Sequence, residues 1–172
     1  MRKVLDEVLA KLSVGSIRKN HGLEHATIQV LGERARTRLA GRADRRGFTL
    51  YGDVPTEVIV DACDRAIQRL GAGERSLAVH PYCGTNFVTA GVLASIVSML
   101  TILGSGYSWR ARLARLPLMI IMITGALILS QPLGMAIQRG ATTSSYMGDL
   151  EIVSIKRRRI GVFTVHRVET RG

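Results

Sequence analysis

The sequence predicts a mainly α-helical membrane protein with a small β component. This prediction rests on two long uncharged segments, on a histidine pair at helical spacing and on a carboxyl-terminal segment of alternating apolar and polar residues. We expect a helical metal-site domain over residues 1–86 and a two-helix transmembrane hairpin over 87–137. A polar linker and a β-hairpin tail are predicted over 138–172.

Two segments are free of charged residues, although the chain carries a formal net charge of +11. They are Phe87–Gly104 and Leu116–Ile137, which as α-helices would measure roughly 27 and 33 Å, close to the thickness of a bilayer core. The alternative is a buried hairpin in a soluble core. Two adjacent segments of this length need more covering protein than the rest of the chain offers, so we expect a transmembrane hairpin in a lipid bilayer.

Small residues recur every fourth position on both segments, and such ridges let helix backbones approach closely in lipid. The two ridges consist of Ala90, Ala94 and Ser98, and of Ala126, Ser130 and Gly134. They predict that the two helices pack together, and they also offer faces for oligomerisation.

We expect no cleavable signal peptide at the amino terminus, because Met1–Ser16 is charged and reads as an amphipathic helix. Arg110, Arg112 and Arg115 crowd the loop between the two apolar segments, which by a strict positive-inside count would place that loop in the cytoplasm. However, the amino-terminal part is basic and has no export signal, and two cysteines suit a reducing compartment. We therefore expect a bacterial cytoplasmic membrane protein with both termini in the cytoplasm.

A histidine pair marks the helix predicted over Ile17–Leu39. At about 100° per residue, His21, Glu24 and His25 fall within an arc of roughly 100°. The H-x-x-E-H order is that of inverzincin-type zinc sites, in which two imidazoles hold the metal and the carboxylate lies beside its water. The alternative is an ordinary amphipathic helix that carries two histidines.

A second cluster, His80-Pro-Tyr-Cys83, contains another of the four histidines and one of the two cysteines. We expect Leu77–Val79 to be extended and Pro81 to form a turn. An imidazole and a thiolate three residues apart are natural ligands of zinc or another divalent transition metal. The alternative is a proline turn with an incidental buried cysteine. Because the next residues begin the first apolar segment, the expected site lies at the membrane surface.

The segments between the motifs indicate short elements. Gly41–Arg46 reads as a basic loop, either solvated or in contact with an anionic group. Gly47–Gly52 reads as a strand, and a helix is expected from Pro55 to Gly71. We expect Cys63 on the apolar face of that helix to be an inert core residue.

The carboxyl-terminal segment predicts a β-hairpin, because Glu151–Ile155 and Ile160–Val168 alternate between apolar and polar residues. His166 is expected to be a half-exposed strand residue rather than a ligand. Lys156–Arg159 is expected to form the turn, either solvated or in contact with acidic lipid.

The two motif blocks resemble those of the YqhQ-like bacterial membrane proteins, a domain-of-unknown-function family thought to be metal-dependent. The matching residues are His21-Gly22-x-Glu24-His25-x-x-Ile28 and Leu77-x-x-His80-x-x-Cys83-Gly84-Thr85-x-Phe87. The resemblance implies a metal site in a membrane protein and gives no substrate. Larger members of that family carry further membrane segments before the first motif, and the β-hairpin tail has no counterpart that we can place.

Two functional hypotheses follow. In the first, the chain is a zinc-dependent hydrolase, most naturally a peptidase, with Zn²⁺ held by His21, His25 and one or both of His80 and Cys83. Glu24 then acts as general base. Thr85 or Asn86 is a candidate for polarising the scissile carbonyl of a juxtamembrane peptide, and a lipid ester or amide is the next candidate substrate.

In the second hypothesis, the metal is bound by four residues, which close a structural site: His21, His25, His80 and Cys83. Glu24 then orients an imidazole, and the protein is a membrane-anchored scaffold or assembly factor. Inverzincins usually take a downstream carboxylate as third ligand, for which an imidazole or thiolate must stand in here. Nucleic acid is not an expected partner, because basic and aromatic residues are not interleaved.

Overall fold

The structure is a computed structural model that describes residues 14–35, 39–103 and 108–172. Most of the helix predicted over Met1–Ser16 lies outside the described residues. The chain divides into two compact units. The sheet unit contains the residues up to His80 together with Arg139–Gly172, and the hairpin unit is Pro81–Gln138.

The first helix of the sheet unit, α1, spans Val14–Ala35. Its core-facing residues recur at helical spacing and are almost completely buried: Leu23, Ala26, Val30 and Leu31. Because these side chains pack on the sheet and on the next helix, α1 presents one fixed face to the core. The predicted motif helix is therefore confirmed, although its described part ends earlier than expected.

The second helix, α2, spans Thr56–Gly71 and follows Pro55, whose fixed φ and missing N–H suit a helix start. Its buried residues recur three and four positions apart and form one stripe: Ile59, Ala62, Cys63, Ala66 and Leu70. This helix and the burial of Cys63 were both predicted from the apolar spacing.

Four antiparallel strands form one sheet, in the order β1-β2-β4-β3. They are β1 (Ala40–Asp44), β2 (Gly47–Tyr51), β3 (Glu151–Ile160) and β4 (Phe163–Arg171). β4 pairs with β2 as well as with β3, so the predicted tail hairpin and the amino-terminal strands belong to one sheet.

The prediction of a basic loop over Gly41–Arg46 was wrong, because most of that segment forms β1. Gly41 and Ala43 are partly buried, whereas the charged Arg42 and Asp44 are exposed, which is the period-two pattern of a strand with one wet face. The turn into β2 needs Gly47, since its φ is +139° and a Cβ there would meet the carbonyl oxygen of Val168.

The predicted carboxyl-terminal strands exist but are longer than expected. The run Lys156–Arg159 lies within β3 rather than in the turn, which is made by Gly161 and Val162. Gly161 has φ +59°, the left-handed conformation that such a turn requires. The prediction of a half-exposed His166 was also wrong. Its side chain is fully buried, because it faces the core beside Leu50.

The approach to the second motif also differs from expectation. Arg75–Ala78 forms a 3₁₀ helix, and Val79 alone is extended, at φ −124° and ψ 129°. The predicted polar linker begins in a π-helical turn over Gln138–Thr142. Both segments present backbone carbonyls that a regular α-helix would have used internally.

The hairpin unit contains α3 (Gly84–Leu103), the short α4 (Trp109–Ala114) and α5 (Leu116–Ile137), with α3 packed against α5. The predicted ridge of Ala126, Ser130 and Gly134 is buried. By length and composition, α3 and the helical stretch Leu116–Thr142 could each cross a membrane. Only 17% and 11% of their most apolar windows are buried, unlike the core helices of soluble proteins.

Candidate metal centre

His21 lies about two turns after the start of α1 and is partly exposed. Its Nδ1 is 3.0 Å from the carbonyl oxygen of Thr142, in the π-helical turn. A carbonyl oxygen can only accept, so Nδ1 carries the proton and donates. The other ring nitrogen, Nε2, is therefore the one with a lone pair in the neutral imidazole.

His25 follows one turn later on α1 and is almost completely buried. Its Nδ1 is 3.0 Å from the carbonyl oxygen of Ala78, at the end of the 3₁₀ helix. The same argument assigns the proton to Nδ1 and the lone pair to Nε2. The two histidines therefore share one tautomer, although they reach different segments of the chain.

Gln29 holds the segment that His25 contacts. Its Nε2 donates to the carbonyl oxygens of Leu77, at 2.8 Å, and of Val79, at 3.2 Å. These bonds flank the Ala78 carbonyl on both sides, and they fix the backbone immediately before His80. An α1 side chain thus orients both the acceptor for His25 and the start of the second motif.

The three histidine rings of the sheet unit that belong to the two motifs lie close together. The ring centroids of His21 and His25 are 4.4 Å apart, with planes at 62°. The ring of His80 lies 5.7 Å from that of His25. The prediction that the two motifs meet in space is therefore met by these imidazoles.

Cys83 is buried at the start of the hairpin unit. His21, His25 and Cys83 are together a set of residues that could hold a metal ion. The backbone N–H of Thr85 donates to the Cys83 sulfur at 3.5 Å, which suits a thiolate at a helix amino terminus. Two imidazoles and one thiolate are a donor set typical of zinc.

Glu24 and His80 are not part of that set of three residues. Glu24 is 4% exposed and packs against β1, where a Cβ at Gly41 would meet its carboxylate. The carboxylate thus lies against a backbone that only glycine leaves open. Its predicted role as general base and the predicted ligand role of His80 stay predictions.

Thr85 and Asn86, the candidates for polarising a substrate carbonyl, lie in the first turn of α3. The Asn86 side chain is buried, donates to the carbonyl oxygen of Pro81 at 2.6 Å and accepts from Gln138 at 2.8 Å. Its amide is thus already used at both ends inside the hairpin unit. The Thr85 hydroxyl lies 3.6 Å from the Cys83 sulfur.

Sequence reasoning missed the groups that orient the imidazoles. The acceptors are backbone carbonyls of Ala78 and Thr142, which carry no residue-specific signal. Gln29 could have been found, because it lies one helical turn beyond His25. However, the carbonyl groups that its amide binds can be identified only when the position of the 3₁₀ helix is known.

Comparisons with known proteins identify a family without a described activity. The profile of DUF6391, a domain of unknown function, matches residues 16–155. An uncharacterized protein from Picosynechococcus sp. is 36% identical over 104 residues, which cover 54% of this chain and 47% of that protein. The chain therefore spans about half the length of this curated relative. No solved structure matches, and the YqhQ-like resemblance is not confirmed by these matches.

Proposed function

Because this chain belongs to DUF6391, a family defined only as a domain of unknown function, we propose a function from its side-chain chemistry. We infer a membrane-anchored, metal-dependent hydrolase. The observation that carries the proposal is the shared tautomer of His21 and His25. Both donate Nδ1–H to a backbone carbonyl, so both offer an Nε2 lone pair. Such outer hydrogen bonds are the usual partners of metal-binding histidines.

The proposed ligands are His21, His25 and Cys83, and three protein ligands are the number typical of catalytic zinc sites. A zinc ion, or another divalent transition metal, would supply an activated water and polarise a carbonyl there. His21 and His80 are both partly exposed, which favours a site open to solvent on one side. A closed structural site would be expected to bury its ligands.

Glu24 is the proposed proton acceptor, because it directly precedes His25 on α1 and is almost completely buried. In this role a carboxylate oxygen of Glu24 would take a proton from the attacking water and return it to the leaving amine. Glu24 is therefore the residue on which the hydrolase proposal is tested.

The proposed substrate is a peptide or membrane protein segment near the bilayer surface, since Cys83 directly precedes α3 in the chain. A lipid ester or amide is the second choice. We propose that both ends of the hairpin emerge on the same side of the membrane, because the sheet unit combines strands from before and after the hairpin. We propose the cytoplasmic side of a bacterial membrane, and the small-residue faces as sites of oligomerisation.

The second candidate function is a scaffold or assembly factor with a structural metal site. The observation that favours it is the position of His80, whose ring lies 5.7 Å from that of His25. A small movement of His80 would complete a four-ligand set with His21, His25 and Cys83, and no position would remain for water. We also propose that the chain is related to the YqhQ-like bacterial membrane proteins.

The test compares Glu24→Gln with wild type and with Glu33→Gln, a control on the same helix whose exposed carboxylate pairs with Arg69. Each protein is purified in detergent, analysed for bound metal and incubated with a library of fluorogenic peptides. The hydrolase proposal expects all three to retain metal, with cleavage lost only in Glu24→Gln.

Cleavage by Glu24→Gln at the wild-type rate would remove Glu24 from the mechanism. Retention of metal without any cleavage by wild type would support the scaffold. X-ray absorption of the bound metal separates the same alternatives, because a fourth ligand from water supports the hydrolase and a fourth ligand from His80 supports the scaffold.

A further inference from the structure

The β3–β4 hairpin extends beyond the rest of the sheet. β2 pairs with β4 from Gly47 opposite Glu169 to Tyr51 opposite Val165, whereas β3 and β4 continue to the pair Ile160 and Phe163. We call residues 157–164 the hairpin tip. Beyond the pair of Arg158 and Val165 it is a two-stranded ribbon, and a ribbon of two strands has little core of its own to bury apolar side chains.

The hairpin tip nevertheless carries exposed apolar side chains. Ile160 is 61% exposed, and Val162, in the turn, is 81% exposed. Both are β-branched residues with no role in forming a tight turn, for which polar residues and glycine are preferred. Exposed apolar residues adjacent in space at a protruding tip are typical of a surface that contacts something apolar.

Arginines flank these apolar residues. Arg157 donates to Asp53 at 2.8 Å, and just below the tip Lys156 pairs with Glu169 at 3.3 Å. Arg158 and Arg159 form no ion pair with any residue that the structure describes. The tip therefore presents two uncompensated positive charges beside its apolar residues.

The arginines also line an open groove of about 470 Å³. The residues around the groove are Asp53, Arg157, Arg158, Arg159, Val162 and Thr164. Three guanidinium groups against one carboxylate give the groove a net positive charge, and guanidinium groups match the geometry of phosphate oxygens. A phosphodiester of moderate size is the chemistry that this lining recognises.

We propose that the hairpin tip binds the surface of an anionic lipid bilayer. The arginines would contact headgroup phosphates in and beside the groove, and Ile160 and Val162 would enter the boundary between headgroups and acyl chains. A soluble phosphate would use the charges but not the two exposed apolar side chains. Two helices of membrane-spanning length in the same chain bring a bilayer within its surroundings. This inference does not depend on the metal centre.

The test places a fluorescent probe at the tip. Trp109 is the only tryptophan of the chain, so Trp109→Phe gives a silent background for Val162→Trp. Val60→Trp, at a 40% exposed valine of α2, serves as the matched probe away from the tip. Each full-length protein is reconstituted in nanodiscs of phosphatidylcholine, alone or mixed with phosphatidylglycerol, with brominated acyl chains as quencher. A second arm adds brominated anionic vesicles to unbrominated discs.

The proposal expects the emission of Val162→Trp to shift to the blue and to be quenched when the anionic lipid is present. The quenching should occur either in the brominated nanodiscs or with the added brominated vesicles, while the emission of Val60→Trp is unaffected in both. Arg158→Glu with Arg159→Glu should abolish quenching. At about five-fold in affinity per arginine near an anionic surface, even neutral replacements should weaken binding by about 25-fold. Arg45→Glu with Arg46→Glu changes the net charge equally at the β1–β2 turn and should have no effect.

Absence of quenching in both arms would overturn the proposal, as would equal quenching without anionic lipid that survives the charge reversal. Changes in Val162→Trp emission with inorganic phosphate but not with bilayers would replace the lipid surface by a soluble anion. Circular dichroism of each variant shows that the fold is retained, which is expected because both arginines are exposed.

Discussion

The rings of His21 and His25 lie 4.4 Å apart with their planes at 62°, and each is held by a carbonyl from a different part of the sheet unit. The carbonyl of Ala78 comes from the 3₁₀ helix, and that of Thr142 from the π-helical turn. Both imidazoles are neutral and carry their lone pair on Nε2, so the two rings are pre-organised to bind one shared cation.

This arrangement predicts that either His21→Ala or His25→Ala removes the metal. We expect the affinity for Zn²⁺ to fall by at least about 100-fold, the upper end of the effect of removing an orienting partner, because a ligand itself is lost. Metal content by mass spectrometry and competition with a chromogenic chelator measure the change. Cys63→Ala is the control and should retain the metal. Unchanged affinity in both histidine variants would show that the site is not a metal centre.

The close approach of α1 to the segment after the π-helical turn predicts opposite effects at two glycines. A Cβ at Gly22 would meet the carbonyl oxygen of Ser144, a backbone atom that cannot rotate away, so Gly22→Ala should destabilise by about 1–3 kcal/mol. Gly32 has nothing within 4 Å, and Gly32→Ala should stabilise α1 by about 0.5–1 kcal/mol. Denaturant unfolding followed by circular dichroism measures both, and effects of the same sign would contradict the packing.

The burial of Cys63 predicts an inert thiol. Removal from water raises the pKa of this thiol to about 12, against the weaker opposing effect of the Thr27 hydroxyl. The thiolate is the reactive form, so Cys63 should resist iodoacetamide at pH 8 in the folded protein and react after denaturation. Peptide mass spectrometry distinguishes the two states. Rapid alkylation of Cys63 without unfolding would contradict its place in the core.

The buried His166 predicts a pH dependence of stability. Burial lowers the pKa of His166, and Arg157 lowers it further, so the folded state binds a proton less readily than the unfolded state. The stabilisation is present above the unfolded pKa of about 6.5 and is lost as the pH falls below it. Neither ring nitrogen has a hydrogen-bond partner among the described residues. His166→Leu should therefore flatten the fall in unfolding free energy as the pH drops below about 6.5, and an unchanged slope would contradict this account.

The helices could be predicted because their signal is local. The expected second membrane helix, Leu116–Ile137, has the bounds found in the structure, since uncharged residues and length alone determine it. The stripe on α2 and the pairing of His21 with His25 follow equally from helical spacing. Such predictions do not require knowing which other segment of the chain packs against the helix.

The errors concern segments whose conformation depends on distant partners. β1 looks like a loop because charged residues interrupt it, but Arg167 on β4 binds both carboxylate oxygens of Asp44, at 2.6 and 2.9 Å. The burial of His166 likewise depends on β2, far away in the chain. The contact between Glu24 and Gly41 was unpredictable for the same reason, because helical spacing gives a direction from the helix and not the neighbour found there.

The position of β4 between β2 and β3 has a consequence for biogenesis. A ribosome completes β1 and β2, then both long apolar helices, and only afterwards the strand that β2 needs as its second neighbour. During synthesis of the apolar segments, the nascent chain therefore exposes one unpaired edge of β2, the kind of edge that promotes association between chains. Binding of a chaperone to the incomplete sheet, or rapid delivery to the insertion machinery, would limit this association between chains in the cell.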